Sequence, residues 1–260
     1  MNVVIIGAGA FGKALGKILV DNGHAIAYFD KKHEHPTLAE AVEGADVMVL
    51  AIPSKVVSEF TKTLSADLRK MPVISAAKGL LDLSCFDGYA RVSILSGPAF
   101  AVDIMNELPV TFTVTDEIAK TLFENERVVI ELVDDALGVA LCGSLKNIYA
   151  IGAGALPEAS DDINDYLERA LAETRHYLKN HGAKSTTADL ACGIGDLVMT
   201  ATNEKSRNLR CGKRLLKGYS LDDVYNELGT VEGLEALKQV DREGYPIIKK
   251  IYELVYGDEI

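Results

Sequence analysis

The sequence predicts an α/β protein in two parts, a doubly wound, mostly parallel sheet over residues 1–135 and an all-helical C-terminal domain over 136–260. Three observations carry that expectation. The apolar run Val3-Val4-Ile5-Ile6 leads straight into Gly7-Ala8-Gly9-Ala10-Phe11-Gly12. Short apolar runs then alternate with helical patterns as far as residue 132. From Ala136 onward the periodic stretches are helical and no convincing strand is visible. Strands alternating with helices build a parallel sheet covered on both faces.

Residues 2–7 form the first strand. In the turn that follows, the first glycine makes the tight bend, the second lets backbone N–H groups approach a pyrophosphate, and the third lets the helix pack against the strand. The helix over 10–22 buries Phe11, Leu15, Ile18 and Leu19 and ends at Gly23 as its C-cap. Its N-terminus favours an anion. Gly7, Gly9, Ala10, Phe11 and Gly12 are therefore candidate contacts of a dinucleotide in a Rossmann-like unit. The plainer alternative is a glycine-rich turn with no ligand.

A second strand over 25–29 ends at Asp30, where this fold places an acid that accepts from ribose hydroxyls and repels a 2′-phosphate. Lys31 and Lys32 partly offset that repulsion. NAD is the favoured cofactor, with NADP as the second choice. A turn or helix-capping role is the other reading of Asp30. A short helix over 37–43 precedes a buried strand from Asp46 to Ile52, which runs into Pro53-Ser54. Pro53 is a further candidate cofactor contact. A helix follows over 54–66, then strands over 72–75 and 91–95 that end at Ala76-Ala77-Lys78-Gly79 and Ser96-Gly97-Pro98. Two more strands, over 109–115 and 127–132, flank a helix at 116–124. Ligands of such sheets bind at the carboxyl ends of the strands.

The helical half reads as segments over 136–155, 161–180, 186–192, 206–217, 220–228, 232–242 and 246–257. The first is apolar or small along most of its length, which means burial on most sides. Lys146-Asn147 interrupts it. A lysine in a buried helix is costly unless it is paired or lines a polar cavity, and desolvation in general suits a lysine to acid/base work. The competing reading is a stem that snorkels to solvent. Asn147 is placed to direct an amide at a substrate hydroxyl. Lys78 is a second cleft candidate, or a surface loop charge. Asp196 follows Gly193-Ile194-Gly195 and is either a helix N-cap or a cleft carboxylate. Ser206 resembles an N-cap, and Arg207 offers a bidentate fork for phosphate, or is a solvated helix start.

Composition narrows the function. A 48% hydrophobic and 25% charged chain is an ordinary globular protein. A net charge of −11 argues against general nucleic-acid binding. Cys85, Cys142, Cys192 and Cys211 are scattered and read as reduced thiols, and His33 and His35 as loop residues, so no metal is expected. Residue 1 leads directly into the first strand with no basic segment ahead, and no apolar run reaches the length of a membrane span. These point to a cytoplasmic protein without stable membrane insertion.

Taken together, the glycine turn, Ala77-Lys78-Gly79-Leu80, Ser96-Gly97-Pro98-Ala99-Phe100-Ala101, Leu145-Lys146-Asn147, Gly195-Asp196-Leu197, Ser206-Arg207-Asn208 and Val231-Glu232-Gly233 resemble the NAD(P)-dependent sn-glycerol-3-phosphate dehydrogenases of the soluble bacterial type. The resemblance runs from residue 1 to about 240. It implies reversible reduction of dihydroxyacetone phosphate to sn-glycerol 3-phosphate, the phospholipid precursor. It implies Lys146 as the acid/base, Lys78 as a group that holds the substrate and polarises its oxygen while also facing the cofactor, and Asn147 and Asp196 in the substrate pocket. Ser206, Arg207 and Asn208 take the substrate phosphate, with Arg207 also near the cofactor. Gly97, Ala99 and Ala101 line the cleft, and Glu232 contacts the cofactor. Family habit suggests a homodimer. The chain departs from the pattern in three ways. It is several tens of residues short, most clearly between the second strand and Asp46. Tyr28-Phe29-Asp30 replaces the usual Trp-x-Arg. Ala99 stands where Ser or Thr is frequent. A related two-domain reductase for another small keto acid or phosphate, and a non-catalytic NAD(H)-binding protein, are the alternatives.

Overall fold

The computed structural model describes residues 1–32, 36–77 and 82–257. The first half alternates β1 (Asn2–Ile6), α1 (Ala10–Asp21), β2 (Ala25–Phe29), α2 (Leu38–Val42), β3 (Val47–Leu50), α3 (Ser54–Thr63), β4 (Val73–Ser75), β5 (Val92–Ser96), α4 (Ala101–Met105), β6 (Val110–Val114), α5 (Glu117–Phe123) and β7 (Val128–Leu132). The strands form one sheet in the order β2-β1-β3-β4-β5-β6-β7. Every pairing is parallel except that of β5 with β6. The chain reverses its direction of travel across the sheet between β1 and β3, which opens a crevice at the carboxyl ends of those strands.

The two faces of β1 and β3 bury different residues, as a period of two requires. Val3, Ile5, Val47 and Val49 pack with Leu15 and Leu19 of α1 in one cluster. Val4, Ile6, Met48 and Leu50 belong to the other cluster, which also holds Val57 and Phe60 of α3 and continues into the helical half through Val139, Leu145 and Tyr149. The core of the sheet and the core of the helices are thus one apolar mass on that face.

The second half is α6 (Ala136–Ala155), α7 (Pro157–Asp161), α8 (Ile163–Asn180), a 3-10 turn (Ser185–Asp189), a π-helical turn (Ala191–Gly195), α9 (Asp196–Thr202), α10 (Arg207–Leu216), α11 (Leu221–Leu228), α12 (Glu232–Leu237) and α13 (Pro246–Tyr256). No strand occurs after Leu132 among the described residues. The segment expected as a helix over 186–192 is instead the 3-10 turn followed by the π turn. The segment expected over 232–242 stops at Leu237. Helices α4 and α7 have no counterpart in the sequence reading, and α9 only in the alternative that makes Asp196 an N-cap, since five to seven residues carry too little periodicity to read. Asn22 is the C-cap of α1, and Gly23, with φ 79°, is the next residue out.

Helix α6 is the axle of this half. It packs against α8, α9, α10, α12 and α13 and against the end of β5. By length and composition it is the one helix among the described residues able to cross a membrane, but 89% of the relevant window is buried inside the fold. Its contact with α10 is backbone to backbone. A Cβ on Gly212 would stand 2.0 Å from the Ile151 carbonyl oxygen, and one on Gly154 would stand 2.3 Å from that of Leu209. Glu173 of α8 holds the start of α13, its carboxylate accepting from the Ile247 and Ile248 N–H groups at 2.9 and 3.0 Å. Burial pushes that carboxyl up, and the two backbone donors only partly offset the effect.

The α6–α10 contact predicts that Gly212→Ala destabilises the fold by about 1–3 kcal/mol through overpacking. Urea unfolding monitored by circular dichroism checks this, and unchanged stability would show that the helices have room to separate.

Candidate functional site

The glycine turn has the shape its spacing demands. Gly7 adopts φ 105°, and a Cβ there would stand 2.6 Å from the Ala51 carbonyl oxygen. Gly12 admits no Cβ because the Gly7 carbonyl oxygen lies 2.0 Å from that position. At Gly9 nothing lies within 4 Å of the same point, and no side chain caps the start of α1. These are the conditions for a pyrophosphate: a fixed turn, a tight strand–helix junction and open space before a helix N-terminus. Ala10 is exposed beside it and Phe11 half-buried.

Asp30 sits at the end of β2, as expected, and is engaged with the turn. Its Oδ2 accepts from the Ala8 N–H and its Oδ1 from the Lys32 N–H, each at 3.0 Å. The turn role and a ribose-facing position are therefore compatible in one carboxylate, which has lone pairs for more than two donors.

A cleft opens beside this turn. Phe11, Ala76, Ala77, Ser96, Gly97, Ala140, Gly143 and Lys146 line it, so it joins α1, the carboxyl ends of β4 and β5, and α6. Two glycines permit the approach. Gly97 leaves no room for a Cβ against the Thr111 carbonyl oxygen at 2.3 Å, and Gly143 lets Ser96 Oγ come within 3.3 Å of its Cβ position.

Lys146 is 5% exposed, so its stem does not snorkel. Its Nζ lies 2.6 Å from Oδ2 of Asp196, which is 1% exposed. That contact is off the hydrogen-bonding direction, and Oδ2 has no other donor among the described residues. Lys146 also donates to Thr200 Oγ1 at 3.4 Å, and Thr200 in turn donates to Asp196 Oδ1 at 3.2 Å. Asp196 is thus a buried partner of the cleft lysine, although it does not itself line the cleft. Gly195, not Asp196, precedes α9 as its N-cap. Thr200 belongs to none of the sequence motifs; it stands four residues after Asp196, the spacing that puts two side chains on one helix face, in a helix too short to show its period.

Asn147 is buried and its amide is occupied within the protein. Nδ2 donates to the Gly143 carbonyl at 3.1 Å and to Glu232 Oε2 at 3.5 Å, while Oδ1 accepts from Asn208 at 2.8 Å. Asn208 passes the link on, accepting from the Gly233 N–H at 2.9 Å. The two asparagines therefore tie α6, α10 and α12 together, and neither amide points freely at a ligand. Ser206 is the N-cap of α10, accepting from the Leu209 N–H at 3.3 Å. Arg207 is 47% exposed, with one guanidinium nitrogen 3.9 Å from Glu232 Oε1. Glu232 and Pro53 line a second, broader groove between α3 and α12 rather than the Lys146 cleft. Ala99 is 1% exposed, belongs to the apolar core and is not among the residues that line the Lys146 cleft. Ala101 is half-buried at the start of α4. Lys78, with Gly79 and Leu80 of the same motif, lies outside the described residues, as do His33 and His35. The four cysteines are free thiols, and among the described residues no group of three or more His, Cys, Asp or Glu side chains is placed to hold a metal ion.

Comparison with known proteins places these features in context. The family profile described as NAD-dependent glycerol-3-phosphate dehydrogenase C-terminus matches residues 135–259, and its N-terminus counterpart matches residues 33–121. The chain is 30% identical to the glycerol-3-phosphate dehydrogenase (NAD(P)+) of Bacillus pumilus over 309 positions, covering 98% of this chain and 90% of that one. It is also 30% identical to that of Limosilactobacillus reuteri over 316 positions, covering 99% and 93%. Those lengths exceed the 260 residues here, so the chain is several tens of residues shorter than these relatives. Among solved structures, glycerol-3-phosphate dehydrogenase from Coxiella burnetii superposes with a TM-score of 0.84 at 24% identity, over 98% of this chain and 94% of that one, and shares the fold.

Removing one partner of a buried ion pair leaves an uncompensated charge. Lys146→Met is expected to lower unfolding stability by about 3–5 kcal/mol, and the double variant Lys146→Met/Asp196→Leu to recover most of it. Denaturant titration of both variants checks this; a single variant as stable as the parent would mean that water, not the lysine, compensates Asp196.

Proposed function

The chain belongs to the NAD-dependent glycerol-3-phosphate dehydrogenase family, and on that premise we propose how its residues divide the reversible reduction of dihydroxyacetone phosphate to sn-glycerol 3-phosphate. The observation that carries the proposal is the buried Lys146–Asp196 pair, whose lysine lines a cleft that also touches the dinucleotide turn.

NAD(P)H supplies the hydride when bound. Gly7, Gly9, Ala10, Phe11 and Gly12 cradle its pyrophosphate, with Asp30, Pro53, Ala101, Arg207 and Glu232 as the remaining cofactor contacts. The open space at Gly9 and the uncapped start of α1 support this reading. A hydride arriving at a carbonyl carbon leaves negative charge on the oxygen, and a proton must meet it there. Lys146 Nζ delivers that proton in reduction and removes it in oxidation. Asp196, itself buried, holds the ammonium in place and balances its charge. Thr200 bridges the two and limits their rotation. Lys78 is the second cation of the substrate pocket by resemblance.

The substrate phosphate is an anion entering a protein of net charge −11. Arg207 therefore supplies the local attraction, with Ser206 and Asn208 presenting the start of α10 to it. Asn147 acts through Asn208 and Glu232, whose positions it holds, and Gly97 shapes the substrate cavity by its lack of a side chain. Two functional units meeting near residue 135, a cytoplasmic location and a homodimeric assembly complete the reading on family grounds.

Loss of NADH absorbance on adding dihydroxyacetone phosphate tests the reaction. Lys146→Met is expected to lower kcat by roughly 10²–10⁴-fold with NADH binding retained, the range for a lost general acid. A variant with parental turnover would remove Lys146 from its role. NADH is expected to outperform NADPH in kcat/KM, and Asp30→Ser to narrow the gap by relieving repulsion of the 2′-phosphate. An unchanged ratio would show that Asp30 serves only the turn.

A further inference from the structure

Asp196 owes its place to an irregular piece of backbone. Immediately before α9 the chain makes the π-helical turn Ala191–Gly195, and the helical path then runs on without a break to Thr202. A π turn holds one residue more than an α turn. If it relaxed to α geometry, every later residue would shift by about 100° around the axis, one residue's worth of rotation. Asp196 would then leave the face that meets Lys146. Something must therefore hold the extra residue.

Two neighbouring strands supply the hold. Thr113 of β6 and Glu131 of β7 are register partners in the parallel pairing. Glu131 Oε2 accepts from the Ala191 N–H at 2.7 Å and from Thr113 Oγ1 at 3.0 Å. Thr113 Oγ1 in turn accepts from the Cys192 N–H at 3.0 Å. The first two amides of the π turn are thus anchored to the sheet through one carboxylate and one fully buried hydroxyl. A carboxylate also suits the positive end of a helical run. On the opposite side Gly193 is pressed against the preceding 3-10 turn, where a Cβ would stand 2.1 Å from the Ala188 carbonyl oxygen. That 3-10 turn is itself fixed by Asp135, which accepts from the Lys184 N–H at 3.0 Å and from the Thr187 hydroxyl at 2.5 Å. The turn is gripped from both sides.

We infer that Glu131, acting with Thr113, is a positioning residue for the reaction: it fixes the register of the π turn and so sets Asp196 against Lys146. The inference rests on the assignment of Lys146 as the acid/base. Strands β6 and β7 bring these two side chains to the start of the π turn. Neither residue touches the cleft, and neither belongs to any of the motifs that carry the family resemblance.

The test uses the full chain and steady-state kinetics with dihydroxyacetone phosphate and NADH, alongside thermal melting. Glu131→Ala and Thr113→Val are expected to lower kcat by roughly tenfold to a hundredfold, the cost of an ångström-scale misplacement, with the KM for NADH unchanged. Glu131→Gln is expected to rescue most of the loss seen with alanine, because both bonds reach a single oxygen that the amide retains. A fall in melting temperature with parental kcat in both Glu131→Ala and Thr113→Val would overturn the inference, since a merely structural contact predicts that result. Failure of Glu131→Gln to improve on Glu131→Ala would overturn it as well. The Lys146→Met enzyme separates the two levels. If it turns over normally, the underlying assignment falls; if it is inactive while Glu131→Ala is fully active, the clamp alone falls.

Discussion

A charged lysine inside an apolar helix is the constraint on which the rest of this structure depends. Helix α6 runs for 20 residues through the middle of the molecule, and most of its side chains are buried. An ammonium there has lost its water and must find a counter-charge within reach. The fold meets that need with Asp196, 1% exposed, at 2.6 Å. The carboxylate in turn constrains α9, the π turn before it and the two strands beneath. The same pair that offsets an electrostatic cost stands beside the dinucleotide turn, where a proton donor is of use. Stability and chemistry place the same demand on the same atoms.

Small residues do the complementary work. Several close approaches are made at a glycine: Gly12 against the first turn, Gly97 against β6, Gly143 against Ser96, Gly154 against α10 and Gly212 against α6. Missing Cβ atoms let the backbones of α6 and α10 touch, and at Gly143 the same absence lets a side chain of β5 approach α6. Polar side chains then fill what the glycines leave open. Asn147 and Asn208 join three helices in a chain of amides, and Glu173 joins α8 to α13. Buried amides of this kind are fully used inside the protein, which is why Asn147 reads as a holder of neighbours rather than as a free hand for substrate.

The parts legible in the sequence are those with a strong local signal. The strand–glycine–helix opening, the alternation of strands and helices, and the long apolar helix with its lone lysine all carry period or composition that a single stretch displays. Short helices such as α4, α7 and α9 do not, and the π turn has no pattern of its own. The fates of Ala99 and Asn147 were equally hidden. Whether an alanine faces a cleft or a core, and whether an asparagine has spare donors, depend on residues far away in the chain.

The sequence by itself thus determined the alternation of strands with the longer helices, the dinucleotide turn, and the lysine whose burial demands a partner. These follow from local sterics and from hydrophobic periodicity, which a chain carries in its own order of residues. Only the tertiary structure decided which carboxylate answers Lys146, that Thr200 joins them, and that Glu131 and Thr113 grip the turn leading to Asp196. Such choices are made by long-range packing: Lys146 meets Asp196, and Thr113 and Glu131 meet the turn before it, because a sheet and two helices bring them together, and no spacing along the chain encodes those meetings.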